Sequence, residues 1–244
     1  MSQVMQVLVS VNSVAEARLV LAAGVPLIDL KDTSHGALSA LDLGSSAAIV
    51  GAVKAHQQQY PAASITISAT VGDRCASAAD LIALIEHRLQ LGVEVIKLPE
   101  AIWDDATYQS VIDDFIAQGK RMIAVLLPLS LKDAALEKRL QGLAQQGYWG
   151  VMVDTPQKST VLVEMVAMPL LARFVQGAKS LQLRVGIAGG LSLADVESLS
   201  DIAPDYLGFR SGVCMDGQRS KGLAPERVHM LVSQVSGNLL DIGL

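Results

Sequence analysis

Residues 4–31 read VMQVLVSVNSVAEARLVLAAGVPLIDLK, and this stretch decides the fold. An apolar run of strand length, Val4 to Ser10, comes first. A helix is predicted from Ser13 to Ala23, with Ser13 as candidate N-cap and Gly24 as its stop. A second short apolar run, Pro26 to Lys31, follows at once. Strand, helix, strand in that order is a parallel βα unit with a right-handed crossover.

The unit repeats along the chain. The predicted helix Ser45–Gln59 leads to a third run, Ser64–Thr70, and the helix Ala76–Leu91 leads to a fourth, Val93–Leu98. A helix near Asp104–Gln118 precedes the fifth run, Arg121–Leu127, and one near Lys132–Gln146 precedes the sixth, Gly150–Asp154. A long helix ending near Leu181 leads to the seventh run, Arg184–Ala188. A short helix, Leu193–Ser200, leads to the eighth, Asp205–Phe209, and Pro225–Val235 closes the series. Eight alternating units predict the α/β class and a single (β/α)8 TIM barrel across residues 1–244, with an open doubly wound sheet as the alternative. A length of 244 residues suits one such barrel, and no linker or low-complexity segment marks a second domain.

Composition narrows the function classes. Apolar residues make up 51% and charged residues 18%, which excludes a disordered chain. Aromatics are 4%, so Ala, Val, Leu and Ile must fill the core. The net charge is −5 without any basic run, so nucleic acid is not an expected partner. An acidic protein that binds phosphate has to concentrate its cations locally. Cys75 and Cys214 lack metal-ligand spacing and are too few for a disulfide framework. No H-x-H pair or carboxylate cluster points to a metal, and no cofactor is expected. The N-terminus lacks a basic leader segment and no apolar stretch is long enough for a membrane span, so a cytoplasmic protein with reduced thiols and no membrane partner is expected. Barrels of this size often pair, and the sequence leaves the homo-oligomeric state open.

Barrel chemistry sits at the C-terminal ends of the strands. Strand 2 ends Ile28-Asp29-Leu30-Lys31, and the two-residue spacing puts Asp29 and Lys31 on one face. Strand 4 ends Val95-Ile96-Lys97, and strand 6 ends Val153-Asp154 with Lys158 four residues on. Strands 2, 4 and 6 share parity, and inward layers come from alternate strands, so these groups are expected to converge at one mouth. Clustered and partly buried amines lower one another's pKa. A neutral lysine forms an imine with a carbonyl, and a nearby carboxylate or second amine then moves protons. A salt-bridge network across the mouth is the structural alternative.

Strand 7 runs on as Gly186-Ile187-Ala188-Gly189-Gly190-Leu191-Ser192, and strand 8 as Gly208-Phe209-Arg210-Ser211-Gly212. Loops 7 and 8 are the usual phosphate site of this architecture. Gly189, Gly190, Ser192, Ser211 and Gly212 are the expected phosphate-binding backbone and hydroxyl groups, with Arg210 as a fork donor. Weaker candidates are Ser10, at the end of strand 1, and Asp73, which either orients a lysine or caps the next helix. His35 lies in loop 2 and reads as solvated; His56, His87 and His229 read as exposed helix residues.

These stretches, together with Ser68-Ala69-Thr70-Val71-Gly72-Asp73, Val153-Asp154-Thr155 and Leu207 to Cys214 followed by Arg219, resemble a known family. It is the (5-formylfuran-3-yl)methyl phosphate synthases, also called 4-(hydroxymethyl)-2-furancarboxaldehyde-phosphate synthases, which act in methanofuran biosynthesis. The resemblance spans nearly the whole chain and implies a lyase that condenses two molecules of glyceraldehyde 3-phosphate with loss of phosphate and water. It implies Lys31 as the Schiff-base residue, Lys97 as a proton acceptor, and Asp29, Asp154 and Lys158 as further site residues. Lys158 or Arg219 would help with a second phosphate. Two loops depart from the family pattern. Loop 2 reads Asp32-Thr33-Ser34-His35-Gly36-Ala37 where the family has asparagine-proline and then a glycine-serine-leucine-glycine stretch, and Lys158 is followed by Ser159-Thr160. Another Schiff-base aldolase acting on a phosphorylated sugar, and a phosphate-ligand sensor on the same barrel, are the competing readings.

Overall fold

The structure, a computed structural model, describes residues 5–32, 39–156, 160–218 and 220–237. Among these, eight parallel strands pair in sequence order and the last returns to the first. They are β1 (Gln6–Val11), β2 (Leu27–Leu30), β3 (Thr66–Thr70), β4 (Val95–Pro99), β5 (Arg121–Leu126), β6 (Gly150–Val153), β7 (Arg184–Ile187) and β8 (Tyr206–Phe209). The barrel is closed, which rules out the open sheet.

Period-two alternation explains why short apolar runs make this wall. Val7, Val9 and Val11 of β1, Ile28 and Leu30 of β2, and Ile96 and Leu98 of β4 face outward into one large apolar layer shared with the helices. Leu8, Val95, Ile123, Met152 and Tyr206 face inward and pack in a second, smaller cluster along the axis. Each fully buried Val, Leu or Ile contributes about 1.5–3 kcal/mol, so the outer layer carries most of the stability. The inner layer needs one glycine for its fit: a Cβ on Gly186 would overlap the Tyr206 ring.

The helices begin where capping chemistry lets them. In α1 (Val14–Ala22) the Ser13 Oγ accepts the Glu16 N–H at 3.3 Å, and Gly24 follows at φ +79°. In α2 (Leu43–Gln59) Asp42 caps through the Ser45 N–H at 2.8 Å, so the helix begins at Leu43, two residues ahead of the predicted Ser45. In α3 (Ala78–Leu91) the cap is Ser77, which accepts from Asp80 N at 3.1 Å. The helix expected near Asp104–Gln118 is α5 (Ala106–Ala117), preceded by a short α4 (Glu100–Trp103) that the sequence reading did not give, and α6 (Leu136–Gln146) starts only after a 3-10 turn at Pro128–Lys132. The long helix expected before strand 7 is also broken, into α7 (Leu162–Met165) and α8 (Met168–Ser180). Pro169 lacks an N–H and sits in the first turn of α8, where none is needed, so continuity with α7 is lost there. α9 (Val196–Ser200) and α10 (Pro225–Gly237) complete the ring. Among the described residues no helix is long and apolar enough to cross a membrane.

Candidate active site at the strand ends

Register builds the floor of the site. Ser10 of β1 pairs with Asp29 of β2, and Asp29 pairs with Ser68 of β3, so the three side chains stand abreast on the inner face. Asp29 Oδ2 accepts from the Ser10 hydroxyl at 3.0 Å and Oδ1 from the Ser68 hydroxyl at 2.8 Å. Val95 of β4 pairs with Ser68, and Lys97, two residues further up, places its Nζ 2.5 Å from Asp29 Oδ1.

Lys31 lies just past β2 and reaches across the mouth to Asp154, just past β6, with Nζ 3.2 Å from Oδ2. The other Asp154 oxygen accepts the Thr155 N–H at 2.8 Å, which fixes the carboxylate plane. All four charged side chains line one cleft with Gly189 and Gly190. Convergence expected from strand parity is what the structure contains, as two crossed lysine–carboxylate pairs.

Burial distinguishes the two lysines. Lys97 is 2% exposed and Lys31 is 7% exposed, so Lys31 is the amine nearer the opening. Desolvation pushes the Lys97 ammonium below the ordinary lysine range; Asp29 opposes that fall, and the Lys31 charge adds to it. Apolar residues of similar volume often match or exceed a buried ion pair in stability. Two such pairs at a barrel mouth are therefore poorly explained by stability, and chemistry is the better account of them.

Loops 7 and 8 frame the other side. Gly189 has φ +115°, and a Cβ there would sit 2.9 Å from the Thr155 nitrogen, so only glycine lets loop 7 lie against loop 6. Gly190 and Ser211 also line the cleft, while Gly212 is buried behind them against the Leu191 carbonyl. Arg210 lines the cleft too, but its guanidinium is partly committed elsewhere. One terminal nitrogen donates to Glu16 Oε2 at 2.5 Å and to the Ser10 carbonyl at 3.1 Å. Through these contacts Arg210 braces the end of β8 against β1 and α1.

Two further candidates make local contacts of their own. The Ser192 hydroxyl donates to Asp195 at 2.8 Å in a capping box that starts the turn Leu193–Asp195; the residue is exposed and off the cleft lining. Asp73 does not cap α3, since Ser77 does; it is exposed and accepts from Ser39 Oγ at 3.2 Å. Lys158, Arg219 and His35 lie outside the described residues. Sequence reasoning missed Glu16, which is 8% exposed and also accepts the Asn12 N–H at 3.0 Å. It also gave Ser68 no role of its own, although the strand register would have exposed one.

Comparison with known proteins bears on this geometry. Residues 7–232 match the family model described as 4-HFC-P synthase. A protein of Archaeoglobus fulgidus named (5-formylfuran-3-yl)methyl phosphate synthase is 30% identical, over 96% of this chain and 100% of its own. A Methylorubrum extorquens protein that carries the same name provisionally is 37% identical, over 93% of this chain and 90% of its own. Among solved structures, phosphoribosyl anthranilate isomerase from Thermus thermophilus superposes with TM-score 0.64 at 14% identity, over 96% of this chain and 100% of that one. A Rubisco-like protein from Rhodopseudomonas palustris gives 0.68 at 15% identity, over 99% of this chain and 65% of that one. Likeness at that identity speaks for the barrel alone. The chain belongs to the 4-HFC-P synthase family, and is thus an enzyme of the furan phosphate synthase group.

Proposed function

We propose, from membership of that family, that the barrel mouth condenses two molecules of glyceraldehyde 3-phosphate into (5-formylfuran-3-yl)methyl phosphate, through an imine on Lys31, as a lyase step in cytoplasmic methanofuran biosynthesis. The observation that carries this reading is the pair of crossed contacts, Lys31 with Asp154 and Lys97 with Asp29, facing one cleft beside Gly189 and Gly190.

Lys31, the more open amine, gives a proton to Asp154 and adds to the carbonyl of one triose phosphate, and loss of water leaves an iminium. A proton on the adjacent carbon passes to Lys97, whose hold on its own proton is weakened by burial. The resulting enamine carbon attacks the aldehyde of the second triose. Elimination of phosphate, ring closure and release of Lys31 complete the sequence, with one phosphate and two waters lost overall. Asp154 holds the Lys31 ammonium between turnovers. The glycine amides of loops 7 and 8 cradle a substrate phosphate, in the way backbone N–H groups commonly do in this architecture.

The test is incubation with glyceraldehyde 3-phosphate, reduction with borohydride, and mass mapping. A reduced triose adduct on Lys31 is expected, with a furan chromophore when borohydride is omitted. An adduct confined to Lys97 or Lys158 would overturn the assignment of the nucleophile. An adduct on Lys31 with no furan would favour a different Schiff-base aldolase acting on a phosphorylated sugar.

A further inference from the structure

We propose that Ser10 and Ser68 are positioning residues of the reaction, acting through Asp29 to aim Lys97 at the substrate carbon. The inference rests on the Schiff-base reading above and deepens it.

An aspartate carboxylate turns easily about its last torsion, because that torsion has broad minima. A buried one is fixed by what donates to it. Here one hydroxyl donates to each oxygen, Ser10 to Oδ2 and Ser68 to Oδ1, from the two strands that flank β2 at the same level. Neighbouring strands lie about 4.8 Å apart, so a side chain as short as serine spans the gap without displacing the aspartate. Lys97 has a long, freely rotating stem, and the short contact to Asp29 Oδ1 is what places its terminal nitrogen. The chain of control therefore runs from two hydroxyls to one carboxylate to one amine.

The surrounding charged and titratable groups leave that task to the serines. Lys97 from β4 lies within electrostatic reach of Asp29, of Lys31 from the end of β2 and of Asp154 beyond β6, and Tyr206 from β8 lies within reach of Asp29. Lys31 is turned to Asp154, and the buried Tyr206 hydroxyl makes no hydrogen bond. Ser68 does not line the cleft, so its influence on the reaction passes through Asp29.

The experiment compares the unsubstituted enzyme with Ser68→Ala, Ser68→Thr and Ser10→Ala, measuring kcat, KM, thermal midpoint and the borohydride-trapped adduct on Lys31. In Ser68→Ala the adduct and KM should persist while kcat falls by about 10- to 100-fold, since misplaced proton transfer is the step lost. Ser68→Thr keeps a hydroxyl and should regain most of kcat, and Ser10→Ala should show the same split as Ser68→Ala. A kcat for Ser68→Ala within about twofold of the unsubstituted enzyme, or a loss that threonine leaves unrepaired, overturns the inference alone. Should Ser68→Ala fail to fold, Ser10→Ala decides by the same criterion. Absence of a Lys31 adduct in the unsubstituted enzyme would overturn the Schiff-base reading and this inference with it.

Discussion

Both ends of the barrel hold cations, and they hold them differently. Where the strands begin, Arg121 and Arg184 lie over the ring of Trp149, 5.5 and 4.9 Å from its centroid, and Arg184 also donates to Gln6. Arg121 keeps about half its side chain in water, at 49% exposure. Beneath them Tyr206 fills the axis. Where the strands end, the cations are lysines, nearly dry and set against carboxylates. A guanidinium stacked on an indole holds its proton throughout the physiological range and serves packing. At the other end, burial lowers the Lys97 ammonium below the ordinary lysine range. The choice of residue, and the access of water to it, separates the structural end from the end proposed to react.

The comparison can be broken most forcefully at Lys31. Lys31→Ala should lower turnover by at least about a thousandfold while the thermal midpoint stays within a few degrees. A variant that keeps near-normal turnover, measured by furan formation, would remove the distinction between the ends.

Acidity offers a sharper and smaller probe. Because burial favours the neutral amine of Lys97, the rate should climb with pH and level off below 10.5, the ordinary lysine value, and Lys97→Gln should erase that limb. Stability has a matching sign. Between the lowered value and 10.5 the unfolded chain binds the Lys97 proton more tightly than the native barrel, so folding strengthens as pH rises through that window. Denaturant midpoints of the unsubstituted protein and Lys97→Gln, taken across the window, isolate the effect.

The smallest change belongs to the other end. Tyr206→Phe removes a buried hydroxyl that has no partner among the described residues, so the barrel should gain up to about 1 kcal/mol with turnover unaltered. A loss of stability in urea titrations would mean that the hydroxyl is satisfied after all.

How much of this was legible before the fold was known follows from range. The strands were readable because both faces of a barrel strand are covered, so each appears as a short apolar run, and the lysine–carboxylate cluster at the mouth was readable because Lys31, Lys97 and Asp154 interrupt or end those runs. Helix breaks were harder, since the Pro169 boundary depends on how the chain reaches α8. The capping box of Ser192 with Asp195, three residues on, was legible as a local pattern but was not read from the sequence. Glu16 was invisible because α1 gives no local sign of which face meets β8. Its importance lies in a contact with Arg210, 194 positions away.

That strut has a consequence for how the enzyme is made. Contacts between residues so distant along the chain are among the slowest to form, because the intervening segment must be ordered first. The Glu16–Arg210 contact can close only once β8 is in place, and Lys31 must wait 123 residues for Asp154. A ribosome still extruding the sixth strand displays a lysine without its pocket, indistinguishable from any surface amine. On the proposed imine chemistry, the nucleophile would be assembled only with closure of the ring, and the nascent chain would not carry it ready-made.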